Sequence, residues 1–383
     1  MARMTAPTTT IFEHMSGLAR EFGAINLGQG FPELPEPPEM IAAAQAALAG
    51  KSNQYPPMRG LPELRSAVAD FYSRTQGLAL SADNVVVTSG GTEALAASLL
   101  ALVAPGDEVI LVQPLYDAYL PLVQWAGGTA RVISLTPPEW TLPLDDLAAA
   151  IGPNTRGIVL NTPNNPVGTM LDRATLEAIG ALAEAHDLWV LCDEVWEAMV
   201  FDGTGHVSPL ALPSLAQRAI KIGSAGKIFS MTGWKVGWAV AAPQLAAKIA
   251  GRHQFLTFTT PPALQWAAAE GLALPDNWFD AQRARYAALK ARLVRGLAAA
   301  GFKVLPGSGT WFITIDLAAS GLPADDAMLA ERLVREAGVA SIPVSAFYAE
   351  HPETGYLRLC FTKDEAVLDE AVARLARFRA QLG

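Results

Sequence analysis

Leu188-Trp-Val-Leu-Cys-Asp-Glu (188–194) is a short apolar run that closes on two carboxylates. Read as a strand, it delivers Asp193 at its carboxyl end, where a charge is costly unless something cationic meets it. The pattern recurs on both sides. Candidate strands at Val85–Thr88, Glu108–Val112, Ala130–Leu135, Gly157–Asn161, Ala219–Ser224 and Val236–Ala241 alternate with alanine-rich segments of helical period. Among these segments are Thr92–Val103, which ends at a Pro-Gly-Asp turn, and Asp172–His186, which opens on an aspartate N-cap. Such alternation predicts an α/β fold: βα units around a mostly parallel, seven-stranded sheet.

Ligands in open α/β sheets bind beyond the carboxyl ends of the strands. Ser89-Gly-Gly-Thr92, Asn161–Gly168, Asp193 and Ser224–Lys227 each follow directly on a candidate strand, so the unusual residues of the chain gather on one edge of one sheet. After about residue 275 the texture changes. A long arginine-bearing helical pattern, Asn277–Ala300, leads to short strands near Thr310–Asp316 and Tyr356–Phe361. The expected organisation is a large α/β domain over 38–280, with 1–37 and 281–383 forming a smaller α+β domain.

The chain has 383 residues, 51% hydrophobic and 17% charged, which suits a compact enzyme and excludes a disordered chain. A net charge of −9 gives neither nucleic acid nor an anionic membrane electrostatic support as a partner. Two cysteines, Cys192 and Cys360, both in apolar runs, cannot build a disulfide framework or a multi-cysteine metal site. Cytoplasm is the expected compartment. Met1 to Met15 lacks the apolar core of a signal peptide. The greasiest stretch, Ala94 to Ala104, falls short of the roughly 20 residues that span a bilayer.

Lys227 lies in Gly-Ser-Ala-Gly-Lys-Ile-Phe-Ser (223–230), eight residues before Lys235 in Thr-Gly-Trp-Lys-Val-Gly-Trp (232–238). A lysine becomes a covalent catalyst through a Schiff base when neighbouring charge or desolvation lowers the pKa of its amine. Ser224 and Lys235 are what a phosphate group requires nearby. The same segment also reads as a glycine-rich loop with two solvated lysines. Ser89–Glu93 exposes backbone N–H groups at the start of a helix, an anion site; the alternative is a turn. Neither glycine run has P-loop spacing, which disfavours nucleotide hydrolysis. Asp193 suits a protonated pyridine nitrogen, or is an N-cap or surface acid. Asn161-Thr-Pro-Asn-Asn-Pro-Val-Gly168, stiffened by two prolines, could turn an amide toward a ring hydroxyl. Tyr116 offers a flat face for stacking, or simply packs. Arg358 alternates with Tyr356 and Cys360 on one strand face; its fork suits a carboxylate, with a surface salt bridge as the alternative.

Together with Asn-Leu-Gly-Gln-Gly-Phe-Pro (26–32), Asn-Gln-Tyr (53–55) and Tyr-Leu-Arg-Leu-Cys-Phe (356–361), these motifs resemble the class I/II aminotransferases, pyridoxal 5'-phosphate enzymes of fold type I. The resemblance spans nearly the whole chain and is greatest for the branch of kynurenine, glutamine and methionine aminotransferases. It implies Lys227 as the Schiff-base lysine and proton carrier, Asp193 against the pyridine nitrogen, Asn165 against the ring hydroxyl and Tyr116 stacked on the ring. Gly91, Thr92, Ser224 and Lys235 would hold the phosphate, with Tyr55 reaching across from a second subunit of a homodimer. Arg358, helped by the Gly30 backbone, would grip the substrate α-carboxylate. The implied reaction moves the amino group of an L-amino acid (apolar, sulfur-containing, aromatic or glutamine-like) to a 2-oxo acid by a ping-pong route, with no metal. The family usually carries tyrosine three residues after the aspartate; here Trp196 stands there, and an indole N–H donates but cannot accept. A cysteine S-conjugate β-lyase is the rival on the same cofactor. A non-catalytic regulator of this fold is a further reading, one that the short stretch before the first long helix leaves without room for a DNA-binding domain.

Overall fold

The computed structural model describes residues 9–201, 203 and 205–382, so the first eight residues of the N-terminal reading lie outside it. Two compact units emerge. The larger comprises Pro35–Arg285 and Gly307–Thr310; the smaller comprises the described residues up to Leu34, Tyr286–Pro306 and those from Trp311 on.

Seven strands form the sheet of the larger unit: β1 Val85–Thr88, β2 Glu108–Gln113, β3 Thr129–Ser134, β4 Thr155–Asn161, β5 Trp189–Asp193, β6 Ala219–Ser224 and β7 Gly237–Ala241. Their spatial order is β1-β7-β6-β5-β4-β2-β3. The pairings among β3, β2, β4, β5 and β6 are parallel, and β7 is antiparallel to both its neighbours.

Apolar side chains alternate across the sheet to fill a core on each face. Ile158, Leu160, Val190 and Val240 pack on one side with Leu176 and Ile179. Val159, Leu191, Ile220, Ile222 and Ala239 pack on the other with Leu95 and Leu99. Strands covered on both faces read as unbroken apolar runs, as these do. Helices α1 Gly91–Leu102, α2 Tyr119–Trp125 and α3 Arg173–Ala185 lie between strands, and Asp172 caps α3 by accepting from the Thr175 amide at 2.8 Å.

In the smaller unit, Phe312–Asp316 pairs antiparallel with Tyr356–Cys360 and with Lys303–Val304, while Ile25–Asn26 pairs in parallel with Val339–Ala340. Among the described residues, no helix is long and apolar enough to cross a membrane.

Candidate active site

Strands β1, β4, β5 and β6 share one direction, so their carboxyl ends open on the same edge. Register brings those ends together: Asn161 stands opposite Asp193, and Gly237 at the start of β7 stands opposite both Thr88 and Ser224. A cavity of about 230 Å³ opens there. It is lined by Gly91, Thr92, Tyr116, Asn165, Asp193, Ser224, Lys227 and Lys235, and also by Gly90, Tyr119 and Trp196. Of the residues singled out in the larger unit, only Tyr55 is not in the lining; it is 84% exposed, its ring edge-on to Phe258 at 5.7 Å.

One end of the cavity is built for an anion. Gly90 has φ 80°, and α1 begins at the next residue. A Cβ on Gly237 would lie 2.6 Å from the Gly90 carbonyl carbon, so only glycine lets β7 approach this turn. Lys235 holds φ 53°, a left-handed conformation costing on the order of 1 kcal/mol for a side-chain-bearing residue. A Cβ on Gly90 would stand 3.4 Å from the Lys235 Nζ. An ammonium therefore sits beside the positive end of a helix, and the two together call for a negative group.

The opposite requirement holds at Asp193. Its carboxylate is buried, with Oδ2 accepting from the Tyr119 hydroxyl at 2.7 Å and Oδ1 from the Val195 amide at 3.3 Å. Burial pushes the Asp193 carboxyl above its ordinary range; Tyr119, Val195 and the Lys227 charge pull it back without cancelling the rise. The surface-acid alternative is thereby set aside. The backbone oxygen of Asp193 accepts from the Asn161 amide group at 2.9 Å and from the Thr162 N–H at 3.1 Å. Asn161 Oδ1 accepts from the Asn165 N–H at 2.7 Å, which ties the Asn161–Gly168 loop to this strand end.

Lys227 stands in the single helical turn Ala225–Ile228 after β6, its Nζ 4.5 Å from the centroid of the Trp196 ring. Tyr116 is half-buried, with its hydroxyl engaged by Thr92 and its ring edge-on to Tyr119 at 5.7 Å. Sequence reasoning missed Tyr119. Its only signal was the demand of a buried carboxylate for a donor, which does not say which donor answers.

Gly30 and Arg358 belong to the smaller unit. Arg358 is 1% exposed, which sets aside a solvated surface pair. Its Nη2 donates to the Gly28 carbonyl at 2.6 Å, and the guanidinium lies 3.9 Å from the centroid of the Phe312 ring. A Cβ on Gly30 would meet that same ring at 3.0 Å.

The cavity matches the distinct groups of pyridoxal phosphate in kind: an ammonium and a helix start for a phosphate, a primary amine for an aldehyde, and a buried carboxylate for a protonated ring nitrogen. Fold and cavity together define a pyridoxal-phosphate-dependent transferase of fold type I. The profile of the family "Aminotransferase class I and II" matches residues 23–375, and the chain belongs to that family. Methionine aminotransferase from Escherichia coli is 39% identical over 96% of this chain and 95% of its own length. Human kynurenine–oxoglutarate transaminase 1 is 34% identical over 95% and 94%. The solved structure of N-succinyldiaminopimelate aminotransferase from Mycobacterium tuberculosis superposes with a TM-score of 0.93 at 40% identity, covering 97% of each chain. The protein is an aminotransferase acting on amino acids and 2-oxo acids.

Proposed function

We propose that the protein moves the α-amino group of an apolar, sulfur-containing, aromatic or glutamine-like L-amino acid to a 2-oxo acid in a ping-pong cycle, with Lys227 carrying the proton. The observation that bears most weight is the meeting of Lys227, Asp193 and the Lys235-flanked start of α1 around one cavity. Relatives named for methionine and kynurenine support the substrate range.

Bound pyridoxal phosphate supplies an aldehyde that bonds amines and a ring that accepts the electron pair left on the substrate Cα. The remaining work falls to the chain. Gly91, Thr92, Ser224 and Lys235 would anchor the cofactor's phosphate, Asn165 would serve its ring hydroxyl and Tyr116 its ring face. Asp193 holds negative charge where a ring nitrogen can keep its proton, and Tyr119 fixes that carboxylate through Oδ2. The Nζ of Lys227 takes the proton from the substrate Cα as a general base and gives it back, as a general acid, on the far side of the substrate nitrogen. Arg358, stiffened by the Gly28 carbonyl and the Phe312 face, binds the α-carboxylate bidentately beside the Gly30 backbone.

The working form in this reading is a homodimer with Tyr55 serving the partner's site. In the single chain Tyr55 and Phe255 are each 84% exposed, and Leu256 and Phe258 are exposed as well, an apolar surface that calls for a cover. Two buried free cysteines support a reducing, cytoplasmic compartment.

The test is a half-reaction screen. Single L-amino acids added without acceptor should bleach the yellow holoenzyme stoichiometrically, methionine or an aromatic amino acid among the fastest, and a 2-oxo acid should restore the colour. Pyruvate and ammonia released from a cysteine S-conjugate without acceptor, at the rate of the best transamination, would make the β-lyase the main activity instead.

A further inference from the structure

We infer that Trp196 is a positioning residue for the Lys227 amine: its indole face holds the ammonium form of that amine and so sets how readily Nζ gives up its proton. The inference rests on the reading of Lys227 as the proton carrier and extends it to a residue the family pattern does not supply. Trp196 stands three residues after the cofactor-facing aspartate, where the family usually has tyrosine.

The geometry is that of a cation over a ring. Lys227 Nζ lies 4.5 Å from the Trp196 centroid, both side chains line the same cavity, and Trp196 is only 4% exposed. Both partners are rigidly carried. The Trp196 carbonyl accepts from Met199 at 2.8 Å, and the next residue, Glu197, is pinned by Tyr72 at 2.6 Å, Gln76 at 2.6 Å and Lys221 at 2.5 Å. Lys227 rides on a turn closed by Phe229 N–H to Ala225 O at 2.8 Å and Met231 N–H to Gly226 O at 2.9 Å.

Indole attracts a cation more strongly than phenol or phenyl does, and desolvation enlarges the effect. Tryptophan at this place therefore gives up a hydroxyl that could reach the cofactor ring and supplies a stronger face for the ammonium. Other groups on the cavity act on the same amine. Asp193 on β5 attracts the ammonium, with its charge shared by the Tyr119 hydroxyl; Lys235 opposes it; the Tyr116 hydroxyl is engaged by Thr92. None of these changes when the aromatic face alone is altered.

The experiment compares wild type with Trp196→Phe, Trp196→Tyr and Trp196→Leu as full-length apoenzymes. The rate at which acetic anhydride labels Lys227 is followed across pH by peptide mass spectrometry and normalised to the exposed Lys248. A roomier cavity multiplies the rate at every pH, whereas loss of the face moves the midpoint of the profile. The expected result is a midpoint that falls from wild type through Trp196→Tyr and Trp196→Phe to Trp196→Leu, raising the free-amine fraction at a fixed pH below it by about two- to tenfold in the leucine variant. Should the leucine variant not fold, phenylalanine against wild type carries the comparison. Coincident midpoints overturn the inference. In wild type, bound pyridoxal phosphate must shield Lys227 from the reagent. Loss of that shielding refutes the underlying reading of Lys227, whereas shielding with coincident midpoints refutes the role of Trp196 alone.

Discussion

Asp193 is stored in the protein at a cost. Its carboxyl is buried, and the Tyr119 hydroxyl, the Val195 amide and the Lys227 charge together do not offset that burial. In the folded chain this group keeps its proton to higher pH than the roughly 3.9 of an unfolded aspartate. Folding therefore takes up a proton in the window above that value, and the apoenzyme loses stability as pH rises through it. Asp193→Asn removes the titration and still accepts from Tyr119. The apoenzyme of this variant should melt higher than wild type at neutral pH, by about 1–2 °C for each kcal/mol relieved, while its affinity for pyridoxal phosphate falls. Thermal scans of the two apoenzymes from acid to neutral pH check this; superimposable curves would mean the burial costs nothing. Asp193 itself was legible because it ends an apolar run. Tyr119 was not, because a tyrosine three places after Tyr116 has many uses and only the folded turn aims its hydroxyl.

The strands were the most legible elements. All seven candidate runs appear, with Val85–Thr88 and Ala219–Ser224 bounded as read and the others differing by one or two residues at an end. Glycine, proline and aspartate punctuate these runs, and their apolar residues fill both cores. What the runs do not encode is their neighbours: nothing local to Gly237–Ala241 says that it lies between Val85–Thr88 and Ala219–Ser224 and runs against both. Nor does β6 announce what its central Lys221 does. Its ammonium is fully buried, 2.6 Å from Glu194 Oε2 and 2.5 Å from Glu197 Oε2, and His206 stands 2.6 Å from the same Glu194 oxygen. Burial alone would lower the Lys221 pKa; the two carboxylates more than reverse that and hold it above the ordinary range. The Glu194, Glu197 and His206 ligand atoms lie within 4.8 Å of one another, a spacing that could suit a metal, but Lys221 already brings a cation to both carboxylates. Lys221→Met should cost about 3–5 kcal/mol, because it takes from two buried carboxylates the lysine cation they share. Urea unfolding of the apoenzyme measures it, and a loss below about 1 kcal/mol would show that the cluster relaxes or neutralises without its lysine.

The homodimer is proposed from resemblance alone, since one chain's sequence does not mark which exposed aromatics would face a partner. The candidate face for it is the exposed Phe258, edge-on to the exposed Tyr55, with Phe255 and Leu256 of the preceding helix end exposed as well. Phe255→Glu should shift sedimentation from dimer toward monomer and weaken cofactor retention, because a charge in a desolvated interface has no counter-ion. A dimer of unchanged stability in that variant would move the interface elsewhere. The account as a whole depends on which lysine bonds the cofactor. Borohydride reduction of the holoenzyme, followed by peptide mapping, should place one pyridoxyl phosphate group per chain on Lys227 and leave Lys235 unmodified. A label on Lys235 or any other lysine, or none at all, would contradict it.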